Sequence, residues 1–461
     1  ASSIGYNPPM PNPSPPTAAA QRLVLGFTGY QWLVLFAAWL GWGFDAYDVL
    51  LFNYVAPLCV PDLLGIPRTG PEAARAVTFW TGALTSLMLV GWAIGGIAFG
   101  RITDQLGRTR TMLLTMVTFA VATAACAAAT DIRMLALFRF IAALGIGGEW
   151  AAGASLVAET VPEKKRVPAG ALLYSSAPIG LFLATFVNDL FTRQVDVIAN
   201  HPEWPSLGWR VVFLTGLLPA AVAVLIRLSV KESAKWTAER PERPRIRELF
   251  SPELRRRTVG GLVLACLSLL TWWSCNAFIP LIASFLAADV HAAGAAAGAL
   301  APLKTGFITV GTSWFNLGGL IGVFLTVPVA LHWGRRKMFV LYFALSAGAI
   351  LLSFAAPLPP QLRLVSMLLL GLTVFAVLGT FTYYLPELFP VRLRGTGSGF
   401  CYNFGRFIAA FGPLAVGAAR SASHSANDLL ATVTWVALAP LAGLALVLLG
   451  IGEETRGRPA A

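Results

Sequence analysis

Residues 159–166 read Glu159-Thr-Val-Pro162-Glu-Lys-Lys-Arg166, and residues 387–394 read Glu387-Leu-Phe-Pro390-Val-Arg-Leu-Arg394. Each stretch lies between two long apolar runs. Both fit Glu-x-x-Pro-x-x-x-Arg, at an offset of 228 residues. Gly107-Arg108 returns as Gly334-Arg335, at an offset of 227. Two unrelated motifs seldom recur at nearly one spacing by chance. They divide the chain into similar halves, and parallel repeats about an axis along the membrane normal are one plan on which membrane proteins are built.

Outward from these motifs, the chain is dominated by apolar runs. It is 56% hydrophobic and 12% charged, against about 25% charged in a soluble domain, so most of it cannot face water. A spanning helix needs about 20 mostly apolar residues. Twelve candidate spans are expected: 32–56, 77–99, 111–130, 134–158, 168–191, 209–229, 259–288, 306–331, 338–356, 363–385, 397–419 and 428–451. The fold expected is an all-α membrane protein of twelve helices in two six-helix bundles. Residues 1–29 and 452–461 are tails, 30–230 and 258–451 the bundles. The charged stretch 231–257 links them.

Basic residues set the orientation. With the N-terminus inside, 24 Lys and Arg fall in inside segments and 8 in outside segments. The positive-inside rule then places both termini in the cytoplasm. The formal net charge of +12 is therefore topological, and no nucleic-acid partner is implied. The Pro-rich first twenty residues lack the basic region and short apolar core of a cleavable signal, and are expected to form a disordered cytoplasmic tail. Cys59, Cys126, Cys266, Cys275 and Cys401 are scattered through apolar runs and form no metal or redox pair. The run Gly91 to Gly100 lies within a span and reads as close helix packing, not a phosphate loop. No metal site, nucleophile or nucleotide motif is present, so neither cofactor nor enzymatic activity is expected.

Ionisable groups inside a bilayer cost about 2.5–3.5 kcal/mol each on insertion scales, so each needs a partner, a wet cavity or a task. Asp45 and Asp48 are three apart on the first span and share a face. Two close carboxylates in a low dielectric cannot both ionise easily, so one is expected to hold its proton, as a proton carrier would; the bland alternative is a packing pair with Arg139. Glu149 lies about ten positions beyond Arg139 on the fourth span, so the two face different neighbours. Arg406 stands near mid-span in the eleventh. Asp104, Arg108, Glu159, Arg166, Glu387 and Arg394 sit at helix ends, where charge is cheap. Their placement in the repeat suggests salt links across the halves, with Asp104 facing the N-terminus of the helix that begins near Gly395.

Gly100-Arg-Ile-Thr-Asp104-Gln-Leu-Gly107-Arg108-Thr-Arg110 resembles the loop signature of the major facilitator superfamily, departing from it at Gln105; the second copy, ending at Lys337, lacks the aspartate. Within that superfamily, Trp-Gly-Phe-Asp45-Ala-Tyr-Asp48, Gly147-Gly148-Glu149-Trp150 and Tyr402-Asn403-Phe404-Gly405-Arg406 resemble the sialate and lactate proton symporters, with aromatic acid symporters as neighbours. The resemblance implies a symporter working by alternating access in a bacterial inner membrane as a monomer. Its partners would be the lipid bilayer, protons as the coupling ion and a small organic anion. Lactate-like monocarboxylates come first and sialic acids second. It implies proton coupling through Asp45, Asp48, Arg139 and Glu149. Gating would fall to the six helix-end charges, and substrate contact to Arg406, Asn403 and Tyr402. Asn276 and Tyr384, polar groups in the seventh and tenth spans, are further expected substrate contacts. The rival from another class is a non-transporting sensor or scaffold.

Overall fold

The structure is a computed structural model that describes residues 26–68, 71–189, 206–219, 221, 229–233, 236–237, 245–294, 300–411 and 426–456. The expected tails up to residue 25 and from 457, and much of the linker, lie outside the described residues.

The first six helices are α1 (Gly29–Leu64), α2 (Pro71–Leu106), α3 (Arg108–Ala125), α4 (Ile132–Thr160), α5 (Arg166–Tyr174, resuming as Ser176–Asp189) and α6 (Leu207–Leu214). The second six are α7 (Arg255–Ala292), α8 (Leu300–His332), α9 (Arg335–Ile350), α10 (Pro360–Leu370, continuing as Ala376–Leu388), α11 (Arg394–Ala409) and α12 (Ala426–Thr434, continuing as Leu438–Leu448). Nine helices among the described residues are long and apolar enough to cross a membrane, and α1, α6 and α11 supply the remaining three of the twelve. The fold is all-α.

Several helices outrun the sequence expectation. α1 carries Pro57 and Pro61 inside it and still runs to Leu64, because neighbouring helices can re-satisfy the backbone groups that proline frees. The signature 100–110 is mostly helix: α2 continues through Asp104 to Leu106. The chain reverses at Gly107 with φ of 101°, and its repeat partner Gly334 has φ of 94°. That left-handed turn is open to glycine at little cost.

The outer faces carry exposed Phe36, Phe79, Phe186 and Trp435. Such an apolar surface belongs in lipid, not in water. Inside, glycines let helices touch. Gly96 and Gly100 of α2 cross Gly395 and Gly399 of α11 backbone to backbone, which is how membrane helices gain packing where lipid offers no hydrophobic drive. The Gly91 to Gly100 run is thus a packing run, and the crossing joins the first six helices to the last six.

Candidate substrate and proton site

Asp45 and Asp48 are both buried on α1, but they turn to different partners. Asp48 accepts hydrogen bonds from Arg139 Nη1 at 2.8 Å and from the Thr123 hydroxyl at 2.6 Å. A second Arg139 nitrogen reaches the Asp48 carbonyl at 3.3 Å. This is a closed, buried ion pair. Asp45 has no hydrogen-bond partner on either carboxyl oxygen among the described residues. Glu149, Asp48 and Arg406 lie within electrostatic reach of it. The helix 1 pair is therefore not a shared dyad: Arg139 compensates Asp48 and leaves Asp45 alone.

Glu149 is buried on α4 and faces another way from Arg139, as their spacing requires. One oxygen accepts from the Thr115 hydroxyl at 2.9 Å. The other has no partner among the described residues and lies against Gly41, one turn before Asp45 on α1.

Arg406 is only 2% exposed. Its guanidinium stacks 4.0 Å from the Trp92 ring and 4.6 Å from Tyr402, and such contacts offset part of the cost of burying a cation. Nη1 donates to Asn403 Oδ1. Nε has no partner, and Arg406 makes no ion pair among the described residues. Asn403 is itself fixed: its amide nitrogen donates to Gly399 O at 2.9 Å, and its side chain fills the space above Gly96 where a Cβ would stand. Tyr402 stacks on Trp150 with centroids 4.2 Å apart. Asn403 thus holds Arg406 in place, while Tyr402 and Arg406 face a cavity between the halves.

That cavity is lined chiefly by aromatic rings, among them Trp42, Trp92, Tyr174, Trp272, Trp273 and Phe375. Phe375 closes a π-helical turn, Gly371–Phe375, within α10; such turns recur at functional sites. Of the expected substrate contacts, Asn276 and Tyr384 do not line it. Asn276 is half-buried one turn beyond Trp272. Tyr384 packs on Phe339, and its hydroxyl donates to Glu453 O at 3.2 Å, which ties α10 to the segment after α12. Tyrosine in a span needs a partner for its hydroxyl, and here that partner is backbone.

The helix-end charges gather at the end of the bundle rich in basic residues. Asp104 accepts from Gly395 N at 3.1 Å, Thr396 N at 2.7 Å and the Thr396 hydroxyl at 2.7 Å. An anion therefore caps the positive end of α11, as expected. Arg108 pairs with Glu159 at 2.8 Å and Asp104 at 3.1 Å, and donates to Val391 O at 2.8 Å. Arg394 reaches Glu159 at 3.4 Å across the halves. Glu387 and Arg166 depart from the expectation of links across the halves. Glu387 pairs with Arg335 at 2.8 Å, repeating Arg108 with Glu159 inside the second half. Arg166 turns back to Ala158 O, as Arg394 does to Pro386 O. The second half has Leu331 where the first has Asp104, so the repeated network lacks the carboxylate that would complete it.

Sequence reasoning missed two caps. Glu232 accepts from Arg108 N at 2.7 Å, and Glu454 from Arg335 N at 3.0 Å. The pairs Glu232-Ser233 and Glu454-Thr455, each following the sixth helix of its half, were the available signal. The aromatic lining was also missed, apart from Tyr402, because its members come from six different helices.

The same twelve-helix arrangement is found in the proton:xylose symporter XylE of E. coli, with a TM-score of 0.72 at 18% identity over 94% of this chain and 98% of that one. The chain is 28% identical over 379 residues to the sialic acid transporter NanX of Escherichia coli, covering 80% of this chain and 83% of NanX. It is 24% identical over 401 residues to the gentisate transporter of Corynebacterium glutamicum, covering 86% and 82%. The sequence profile of the Major Facilitator Superfamily matches residues 31–413, and the chain is a multi-pass membrane protein that belongs to that family.

Proposed function

We propose that this transporter is a proton-coupled symporter for a small organic anion, working by alternating access. The observation that carries this reading is Arg406: a buried guanidinium with no ion pair and a free Nε among the described residues, on the wall of a cavity between the halves. A cation at that depth needs an anion, and its planar fork matches a carboxylate. Asp45, a carboxyl without a hydrogen-bond partner among the described residues and in electrostatic reach of Arg406, is the site for the coupling proton. Ionised, Asp45 offsets the charge of Arg406 in the empty carrier; protonated, it leaves Arg406 to the cargo. Glu149 is the next acid along. Asp48 and Arg139 hold α1 to α4.

The named cargoes of the two relatives, sialic acid and gentisate, share a carboxylate and little else. Their likeness supports an anion and leaves its body open. Lactate, sialic acids and aromatic acids all present the group that Arg406 would hold. The contacts of Asp104, Glu159 and Arg108 with the second half serve as the gate on the side rich in basic residues, read as cytoplasmic.

The test is uptake of labelled carboxylates into proteoliposomes with and without an inward proton gradient. Gradient-stimulated uptake of at least one anion is expected; none for any of a broad panel overturns the reading.

A further inference from the structure

The cavity beside Arg406 has two aromatic walls, one from each half. Trp42, Trp92 and Tyr174 form the first; Trp272, Trp273 and Phe375 form the second. They meet edge to face, Trp92 on Trp273 with centroids 6.4 Å apart and Tyr174 on Phe375 at 5.8 Å. Among the described residues, Arg406 is the single charged one in the lining.

Its polar inventory is one-sided. The indole N–H groups of Trp42, Trp92 and Trp272 are buried without an acceptor among the described residues, as is Arg406 Nε. The side-chain acceptors in the lining are few, the hydroxyls of Tyr174 and Tyr402. Buried donors left unpaired are costly, so a ligand that fits must bring acceptor atoms. A polyhydroxylated acid brings many donors to a cavity poor in acceptors. A three-carbon hydroxy acid would engage Arg406 and leave most of the aromatic surface untouched.

Resting on the reading of Arg406 as the group that holds the carboxylate, we infer that the cargo is an aromatic monocarboxylate bearing at least one further acceptor oxygen on its ring. The space between the touching walls is about 50 Å³ in this state, so the halves part to admit the cargo; the carboxylate then answers Arg406, the flat ring packs between the walls, and the ring oxygen accepts from indole N–H. Because the walls belong to opposite halves, a bound ring touches both, and its occupancy is coupled to how the halves close.

The test uses purified full-length protein and calorimetry with 4-hydroxybenzoate, benzoate, cyclohexanecarboxylate, lactate and N-acetylneuraminate. Aromatic packing contributes enough beyond buried area that benzoate is expected to bind about tenfold tighter than its saturated counterpart. 4-Hydroxybenzoate is expected to bind tighter than benzoate, with lactate and N-acetylneuraminate weakest. Trp272→Leu, and independently Phe375→Leu, should each weaken 4-hydroxybenzoate about tenfold on the same grounds and weaken lactate several-fold less. Lactate or N-acetylneuraminate binding as tightly as benzoate, or cyclohexanecarboxylate matching it, overturns the inference. If those non-aromatic acids bind through Arg406, lost in Arg406→Lys, the proposed anion site stands while the aromatic class falls. If no probe binds, or Arg406→Lys binds as wild type does, the anion site falls with it.

Discussion

Arg139 Nη1 stands 2.8 Å from Asp48 Oδ2, and that contact separates two acids that the sequence places on one face of a helix. Asp48 has its charge met by a guanidinium and a hydroxyl. Asp45, three residues earlier and equally buried, has neither. A proton carrier must exist in two protonation states within one fold, which suits the unpartnered acid better than the paired one.

Asp48→Asn leaves Arg139 as an unpaired buried cation. Breaking such a pair from one side costs about 3–5 kcal/mol. Asp48→Asn should therefore lower the melting temperature of the purified protein and its yield in the membrane. A melting temperature equal to wild type would show that Arg139 finds another partner.

Asp45→Asn removes no hydrogen bond and mimics the protonated acid. Folding should be kept, gradient-driven accumulation lost and counterflow exchange retained. Accumulation in Asp45→Asn at wild-type level would move the coupling proton elsewhere, with Glu149→Gln the next variant to assay.

The contact of Asp104 with α11, proposed above as part of the gate, depends on charge as well as geometry. Asparagine at 104 has one accepting oxygen, so it can meet Gly395 N or the Thr396 donors but not both; it also loses the ion pair with Arg108 and the interaction with the helix dipole, the last worth about 0.3–1 kcal/mol and up to about 2 where partly buried. Asp104→Asn should shift the carrier toward opening on the basic side, read as increased labelling of a cysteine placed at Ser398, buried on α11 beside the crossing. Unchanged labelling would show that Glu159 and Arg108 hold the gate without it.

Topology rests on the placement of Lys and Arg. Thr237, exposed after α6, and Thr130, exposed between α3 and α4, report on opposite ends. Thr237→Cys should react with an impermeant thiol reagent only from the cytoplasm, and Thr130→Cys only from outside. The reverse pattern would invert every side assignment.

How much was legible in the sequence differs by kind of contact. Apolar runs and the E-x-x-P-x-x-x-R repeat report local chemistry, so the twelve spans and the contact of Asp104 with the helix after Gly395 could be read from them. Exact ends could not: α1 passes two prolines because neighbouring helices support it, which no local pattern records. Nor could the choice between Asp45 and Asp48, since it depends on the direction of Arg139, ninety-one residues away. Tyr384 failed for a related reason. Position in a cavity-lining helix does not say which face a residue takes, and its face meets Glu453. The aromatic walls were dispersed over the chain, and only folding gathers them.

Arg406 offers the sharpest single substitution. It is held by Asn403 on one side and by stacking on Trp92 and Tyr402 on its faces, so its free Nε edge is pre-positioned and little is lost in ordering it for a ligand. Lysine keeps the charge but has no planar fork to stack or to form parallel hydrogen bonds. Hydrogen bonds to charged groups contribute about 1.5–3 kcal/mol, so Arg406→Lys should weaken binding of a transported carboxylate roughly ten- to a hundredfold. Because Arg406 makes no ion pair among the described residues, the variant leaves no acid stranded that was paired before, and it should insert and fold. Asn403→Ala tests the same site from behind: the guanidinium keeps its charge and loses its brace, so affinity should fall less than in Arg406→Lys. Calorimetry on both purified variants, with thermal unfolding as the check on folding, measures these outcomes. Wild-type affinity in a folded Arg406→Lys would place the carboxylate elsewhere in the cavity and make Arg406 a packing residue.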